Sequence, residues 1–242
     1  MIHDFLTVFE IYQIEKHILP KLTYEKSKSL IIDTESSETS IPDHYKASSI
    51  FFKDIYTTST KETTVPAALK KHDTNKRHVM AAITQRIQLA SYLIIANEDR
   101  KGSFKASLYG LGGMTEKHGD GYGIEDNIKI NNVRKDYFTD GDIIATIILW
   151  MTNVNLGGGT YFCSQTVEDV IQPEKGSALL WMNLKASGFV DHSQHHGGCP
   201  VAEGTKFVLT HWFLHYYQWK KFPCEITKNT MINVRKILHT TK

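Results

Sequence analysis

Apolar residues recur at positions 5, 6, 8, 9, 11, 14, 18 and 19, a near-helical spacing that predicts an amphipathic helix over residues 5–19 with Pro20 as its stop. Apolar residues at 79, 80, 83, 87, 89, 90, 93 and 94 predict a second helix over 79–95. Residues 33–45 are polar and read as a loop, and residues 57–78 are polar and expected to be exposed. From about residue 103 the pattern changes. Short β-branched and aromatic runs at 104–109, 143–151, 160–163, 178–182 and 207–215 predict strands. Turn signals separate them: Gly110 with Gly112-Gly113, Thr139-Asp140-Gly141-Asp142, Gly157-Gly158-Gly159, Pro173-Glu174-Lys175-Gly176 and Gly197-Gly198-Cys199-Pro200. Many short strands with regular turns predict a mainly β fold with flanking helices, a sandwich or jelly roll.

Composition narrows the class. The chain has 242 residues, 41% hydrophobic and 22% charged, which excludes disorder, collagen and coiled coil. A net charge of +2 gives no reason to expect nucleic acid or a membrane surface as partner. No run of about 18 apolar residues is present, so no membrane span is expected. The N-terminus, Met1-Ile2-His3-Asp4-Phe5, lacks the basic and apolar regions of a signal peptide. The literal reading is a soluble chain without a targeting signal; a truncated chain is the other. Three cysteines are too few for a disulfide scaffold, whereas twelve histidines direct attention to metal or acid–base chemistry.

His118-Gly119-Asp120 is a His-x-Asp triplet. On an extended backbone residues i and i+2 share a face, so imidazole and carboxylate can converge on one ion, with Gly119 leaving the approach open. Alone the triplet is weak, and a structural or surface histidine fits it as well. A second cluster, His192, His195 and His196, precedes the Gly197-Gly198-Cys199-Pro200 turn. Ten residues after His196 comes Lys206, a cation on an apolar run that is costly to bury unless an anion meets it. Two histidines and one carboxylate with open positions are the ligand set of non-heme Fe(II) oxygenases, and a buried cation would hold the far carboxylate of a 2-oxo-diacid.

The ordered motifs then carry a resemblance. Tyr109-Gly110-Leu111-Gly112-Gly113-Met114-Thr115-Glu116-Lys117-His118-Gly119-Asp120 resembles the metal-binding segment of animal prolyl 4-hydroxylase α subunits. Gly157-Gly158-Gly159-Thr160-Tyr161-Phe162, Lys175-Gly176-Ser177-Ala178 and Trp181-Met182-Asn183-Leu184 follow in the family's order. So do His196-Gly197-Gly198-Cys199-Pro200-Val201, Gly204-Thr205-Lys206-Phe207-Val208, Trp212 and Pro223-Cys224. The likeness is strong over about 104–224 and faint over 1–100.

The resemblance implies a double-stranded β-helix (jelly roll) of the Fe(II)/2-oxoglutarate dioxygenase type over 103–224. Residues 1–102 would be its helical and strand support and 225–242 a C-terminal tail. It implies His118, Asp120 and His196 as Fe(II) ligands and Lys206 as partner of the 2-oxoglutarate C5 carboxylate, beside Tyr109 and Thr160. Trp212 matches a residue that packs on the substrate prolyl ring. By residue type alone, Tyr109, Thr160 and Trp212 read as ordinary barrel lining. His195 adjoins His196, which is preferred as ligand because it directly precedes the Gly-Gly-Cys-Pro register. His192 and His211 read as lining or surface positions.

The implied reaction hydroxylates peptidyl proline, with O2 and decarboxylation of 2-oxoglutarate to succinate; L-ascorbate would sustain the iron. The implied partners are a proline-containing or collagen-like peptide and a protein disulfide isomerase subunit. The implied compartment is the endoplasmic reticulum lumen, with Cys199 and Cys224 in the family's disulfide and Cys163 a free thiol. One departure stands out: Thr115 occupies the place of a tyrosine that the family sets against its substrate. The alternatives are therefore a 2-oxoglutarate dioxygenase with another substrate, or a catalytically weak paralogue acting as a binding or assembly subunit. A cupin-like zinc protein would leave Lys206 without a purpose.

Overall fold

A computed structural model describes residues 1–28, 47–52, 67–96, 104–123, 141–163, 168–222, 227 and 230–232. The first helix, α1 (Val8–Lys28), opens on a capping box. The Thr7 hydroxyl accepts from the Glu10 amide at 3.2 Å, and the Glu10 carboxylate accepts from the Thr7 amide at 2.8 Å. Pro20 does not end this helix, contrary to the sequence expectation, but lies inside it. The reason is the buried face: Ile11, Ile14, Ile18 and Leu22 continue through the proline, and their burial outweighs the lost amide hydrogen bond. The second helix, α2 (Ala67–Ser91), begins well before residue 79, so the helix expected over 79–95 extends back into the polar stretch and ends at Ser91. The expected loop at 33–45 lies outside the described residues.

Among the described residues there are eleven strands: β1 (Ala47–Phe52), β2 (Phe104–Tyr109), β3 (Thr115–His118), β4 (Ile143–Trp150), β5 (Leu156–Gly157), β6 (Thr160–Cys163), β7 (Glu168–Ile171), β8 (Ala178–Met182), β9 (His196–Gly198), β10 (Val201–Glu203) and β11 (Lys206–Leu214). One sheet runs β1-β2-β11-β4-β8 and a second β3-β9-β6-β7, with β10-β5 as a short ribbon. The strands within each sheet pair antiparallel, giving a jelly roll flanked by helices as expected.

Alternation along the large sheet divides its residues between two cores. Phe104 and Ala106 of β2, Ala145, Ile147 and Leu149 of β4, and Phe207, Leu209 and Phe213 of β11 pack with Ile14, Ile18, Ile83 and Ile87 of the helices. The opposite face carries Ile148, Trp150, Leu179, Trp181 and Val208, a smaller cluster joined by Tyr109, Phe162 and Ile171. The helices are tied together by Arg86, which donates to both Glu10 carboxylate oxygens at 3.0 and 2.9 Å and to the Phe5 carbonyl at 2.7 Å. Burial by itself would raise the Glu10 carboxyl; the Arg86 guanidinium and the Thr7 amide and hydroxyl outweigh it and hold the group below its ordinary value.

Candidate active site

The cleft between the two sheets collects the polar residues that the smaller core leaves uncovered. Along β2 the period of two turns Lys105, Ser107 and Tyr109 into it; along β11 it turns Lys206, Val208, Thr210 and Trp212 inward. The second sheet contributes Thr115 and His118 from β3, Thr160 from β6 and His196 to Gly198 from β9. The volume is about 610 Å³ including its open mouth.

Strands β3 and β9 pair with His118 opposite His196, so residues far apart in sequence meet at one point. The His118 and His196 rings lie 4.5 Å apart between centroids. His118 Nε2 is 3.7 Å from Asp120 Oδ1, and His196 Nε2 is 3.6 Å from Asp120 Oδ2. The three ligand atoms all fall within 4.8 Å of one another, a span that one ion bonded at about 2.1 Å bridges with small adjustments.

Each ligand is oriented by a neighbour. His118 Nδ1 pairs with the Glu116 carbonyl at 2.8 Å and His196 Nδ1 with the Gln194 carbonyl at 2.9 Å. A carbonyl only accepts, so both Nδ1 atoms carry the proton and both Nε2 lone pairs are left for the shared point. Thr146 donates to Asp120 Oδ2 at 2.6 Å and itself accepts from the Asn183 amide at 2.8 Å. Burial pushes the His196 imidazole below its ordinary value despite the Asp120 carboxylate, which favours the neutral, ligating form. Phe162 and Trp181 pack around that ring, at 5.7 and 4.6 Å between centroids. Beyond Asp120 the chain is pinned by the buried Asp142 carboxylate, which accepts from the amides of Tyr122 and Gly123.

Lys206 is only 6% exposed. Its ammonium donates to the Thr160 hydroxyl at 3.3 Å and lies 5.8 Å above the Tyr109 ring, whose hydroxyl accepts from Thr115 at 3.0 Å. Burial pushes the Lys206 ammonium down to about 8, the neighbouring Cys199 sulfur acting the other way. The cleft thus holds a desolvated cation at a distance from a two-histidine, one-carboxylate cluster, an arrangement that suits a metal-chelating diacid.

Thr115, expected among the substrate contacts, sits at this Lys206 end of the cleft. Trp212 lines the cleft farther along β11, with its indole N–H buried and unpartnered among the described residues. Gly119 does not leave an open approach: a Cβ there would meet the His195 ring at 2.9 Å, so His195 fills that space. His192 is exposed and lies with its Nδ1 3.4 Å from His195 Nε2. His211 neither lines the cleft nor reaches the surface; it is buried on the helix side, between Phe104 and Phe213. Cys163 and Cys199 are half-buried and form no disulfide among the described residues, and Cys224 lies outside them.

Sequence reading missed Lys105, the Thr146–Asn183 relay and the aromatic wall of Phe162 and Trp181. Thr146 and Asn183 lie on or beside strands remote from the ligand motif, and only pairing reveals them. Lys105 was legible in part, because it alternates with Ser107 and Tyr109 on one strand face.

Comparison with known proteins agrees with the geometry. Residues 104–214 match the 2OG-Fe(II) oxygenase superfamily. The chain is 33% identical to prolyl 4-hydroxylase subunit alpha-1 of Gallus gallus over 150 residues, 62% of this chain and 27% of that one. The Homo sapiens subunit alpha-1 is likewise 33% identical over 150 residues, covering 26% of its length. The chain therefore spans about a quarter of these relatives. A crystal structure of a viral collagen prolyl hydroxylase from Paramecium Bursaria Chlorella virus-1, in its 2OG complex, shares the fold with a TM-score of 0.50 at 18% identity, over 88% of this chain and 93% of that one.

Proposed function

We propose that the chain is a 2OG-Fe(II) oxygenase through its residues 104–214, which match that superfamily, and that it hydroxylates peptidyl proline with Fe(II), 2-oxoglutarate and O2. The observation that carries this is the convergence of His118, Asp120 and His196 within 4.8 Å, in one cleft with the buried Lys206. These three residues would hold the iron, which supplies oxygen activation and cosubstrate chelation when bound. The chain's own residues do the rest. Nδ1 contacts fix the imidazoles, and Thr146 fixes the carboxylate. Lys206, with Tyr109 and Thr160, receives the distal carboxylate of 2-oxoglutarate, and Trp181 and Phe162 keep water from the His196 side. Ascorbate would sustain turnover, as in the family.

The primary substrate is a proline-containing peptide packed on Trp212. No helix among the described residues is long and apolar enough to cross a membrane. The resemblance further supports the endoplasmic reticulum lumen, a Cys199–Cys224 bridge and a disulfide isomerase partner; thiol titration of the protein secreted into an oxidising compartment tests the bridge. A second reading, the same cosubstrate chemistry on a different substrate, is favoured by Thr115, which provides no aromatic wall. Succinate release from 2-oxoglutarate with and without a (Pro-Pro-Gly)-type peptide decides between them. Stimulation by the peptide together with hydroxyproline in it supports the first reading. Peptide-independent release supports the second.

A further inference from the structure

The cleft contains a second lysine that the chemistry so far does not use. Lys105 faces inward from β2 and pairs across the strands with Thr210 on one side and Phe51 on the other. Lys206 is opposite Tyr109, four residues from Lys105 along the same strand, so the two lysine backbones stand about 13 Å apart at ~3.3 Å per residue. The ammonium of Lys105 lies 5.9 Å from the Trp212 ring centroid. The Trp212 ring in turn lies 6.2 Å from that of Phe51, which is 66% exposed. A cation and an aromatic rim open to solvent therefore stand together, on the side of the cleft away from Lys206. Lys105 is half-buried and lines the same cleft as His118, Asp120 and His196.

We propose that Lys105 is a specificity-determining residue that holds a carboxylate of the primary substrate while the carbon to be hydroxylated faces His118, Asp120 and His196. This rests on the dioxygenase reading of the site. A carboxylate is the ligand chemistry because a half-buried ammonium favours an anion over a neutral group. Phe51 and Trp212 would flank the chain that bears it. That carboxylate belongs either to an acidic side chain beside the target residue or to the free end of a peptide.

The test uses the full chain and four proline-containing peptides of one design. Three are capped at both ends and carry Glu, Gln or Lys beside the proline; the fourth carries Gln and a free C-terminal carboxylate. Binding is measured under anaerobic conditions with Fe(II) and 2-oxoglutarate, so affinity is read without turnover. The expected result is that one carboxylate-bearing peptide binds at least tenfold tighter than the capped Gln peptide, and which one does so identifies the source. Lys105→Gln should erase that difference, Lys105→Arg should keep most of it, and Lys105→Glu should shift preference to the Lys peptide. In air the same pattern should appear in the peptide KM. Equal affinities for all four, no measurable binding of either carboxylate peptide, or a Lys105→Gln variant that loses only 2-oxoglutarate affinity would each overturn the proposal. Peptide-free succinate release by the unsubstituted chain reports separately on the dioxygenase reading.

Discussion

The two lysines of the cleft lie on neighbouring strands of one sheet, yet their settings differ. Lys206 is buried, held by Thr160 and faced by Tyr109. Lys105 lies beneath Trp212, toward the rim marked by Phe51. A buried cation is costly until an anion arrives, so it suits a cosubstrate needed in every turnover. A rim cation reads what comes from outside. Under the proposed function, the contrast separates a half of the cleft that would hold the cosubstrate from a half that would choose the target.

The largest effect lies between the two lysines. His118→Ala removes one of three ligands, and Fe(II) affinity measured by titration should fall at least 100-fold with loss of all turnover; metal affinity within twofold of the parent would break the triad assignment. Next, Lys206→Ala should raise the 2-oxoglutarate KM about 100-fold, the scale of losing a charge-assisted contact in a buried site. Its peptide discrimination should stay that of Lys105, and steady-state kinetics with two peptides resolves this. Thr146→Val should weaken metal binding on the order of tenfold, because the Asp120 carboxylate loses an orienting donor.

A smaller and graded effect follows from the Lys206 ammonium, which burial holds at about 8. The anion needs the charged form, so the apparent 2-oxoglutarate Kd should rise with pH above about 8, toward roughly tenfold per unit. For stability the sign is opposite: the unfolded lysine keeps its proton up to its ordinary value of 10.5, so this group's burial penalty diminishes as pH rises from about 8 to 10.5. Calorimetry of cosubstrate binding across that range checks the first statement.

The smallest effect on the site should come from Arg86→Gln, beneath the sheet. It should cost about 2 kcal/mol of stability by leaving the buried Glu10 carboxylate short of donors. Denaturant unfolding reads it, and the cosubstrate KM should not move. The Glu10 contribution is present above pH 4.5 and lost as pH falls through the lowered value of the folded state.

Much of this was legible in the chain. Strands β2, β6 and β8 match their apolar runs end to end, because each is long enough for alternation to register. Ordered spacing and family likeness pointed to His118, Asp120, His196 and Lys206, which the fold brings into one cleft. Strands β3, β5, β9 and β10 were not legible, since two to four residues containing glycine or charge have no period to read. Pro20 misled because tertiary burial of Ile18 and Leu22 overrode a local stop signal. Gly119 misled for a related reason: the space beside it is filled by His195, which no local pattern reveals.

The most direct measurement is succinate formed from 2-oxoglutarate by the full chain with Fe(II) in air, compared with His196→Ala. The iron and cosubstrate assignment predicts succinate from the parent chain and none above background from the variant. Equal succinate from both, or none from the parent chain with iron bound, would contradict it.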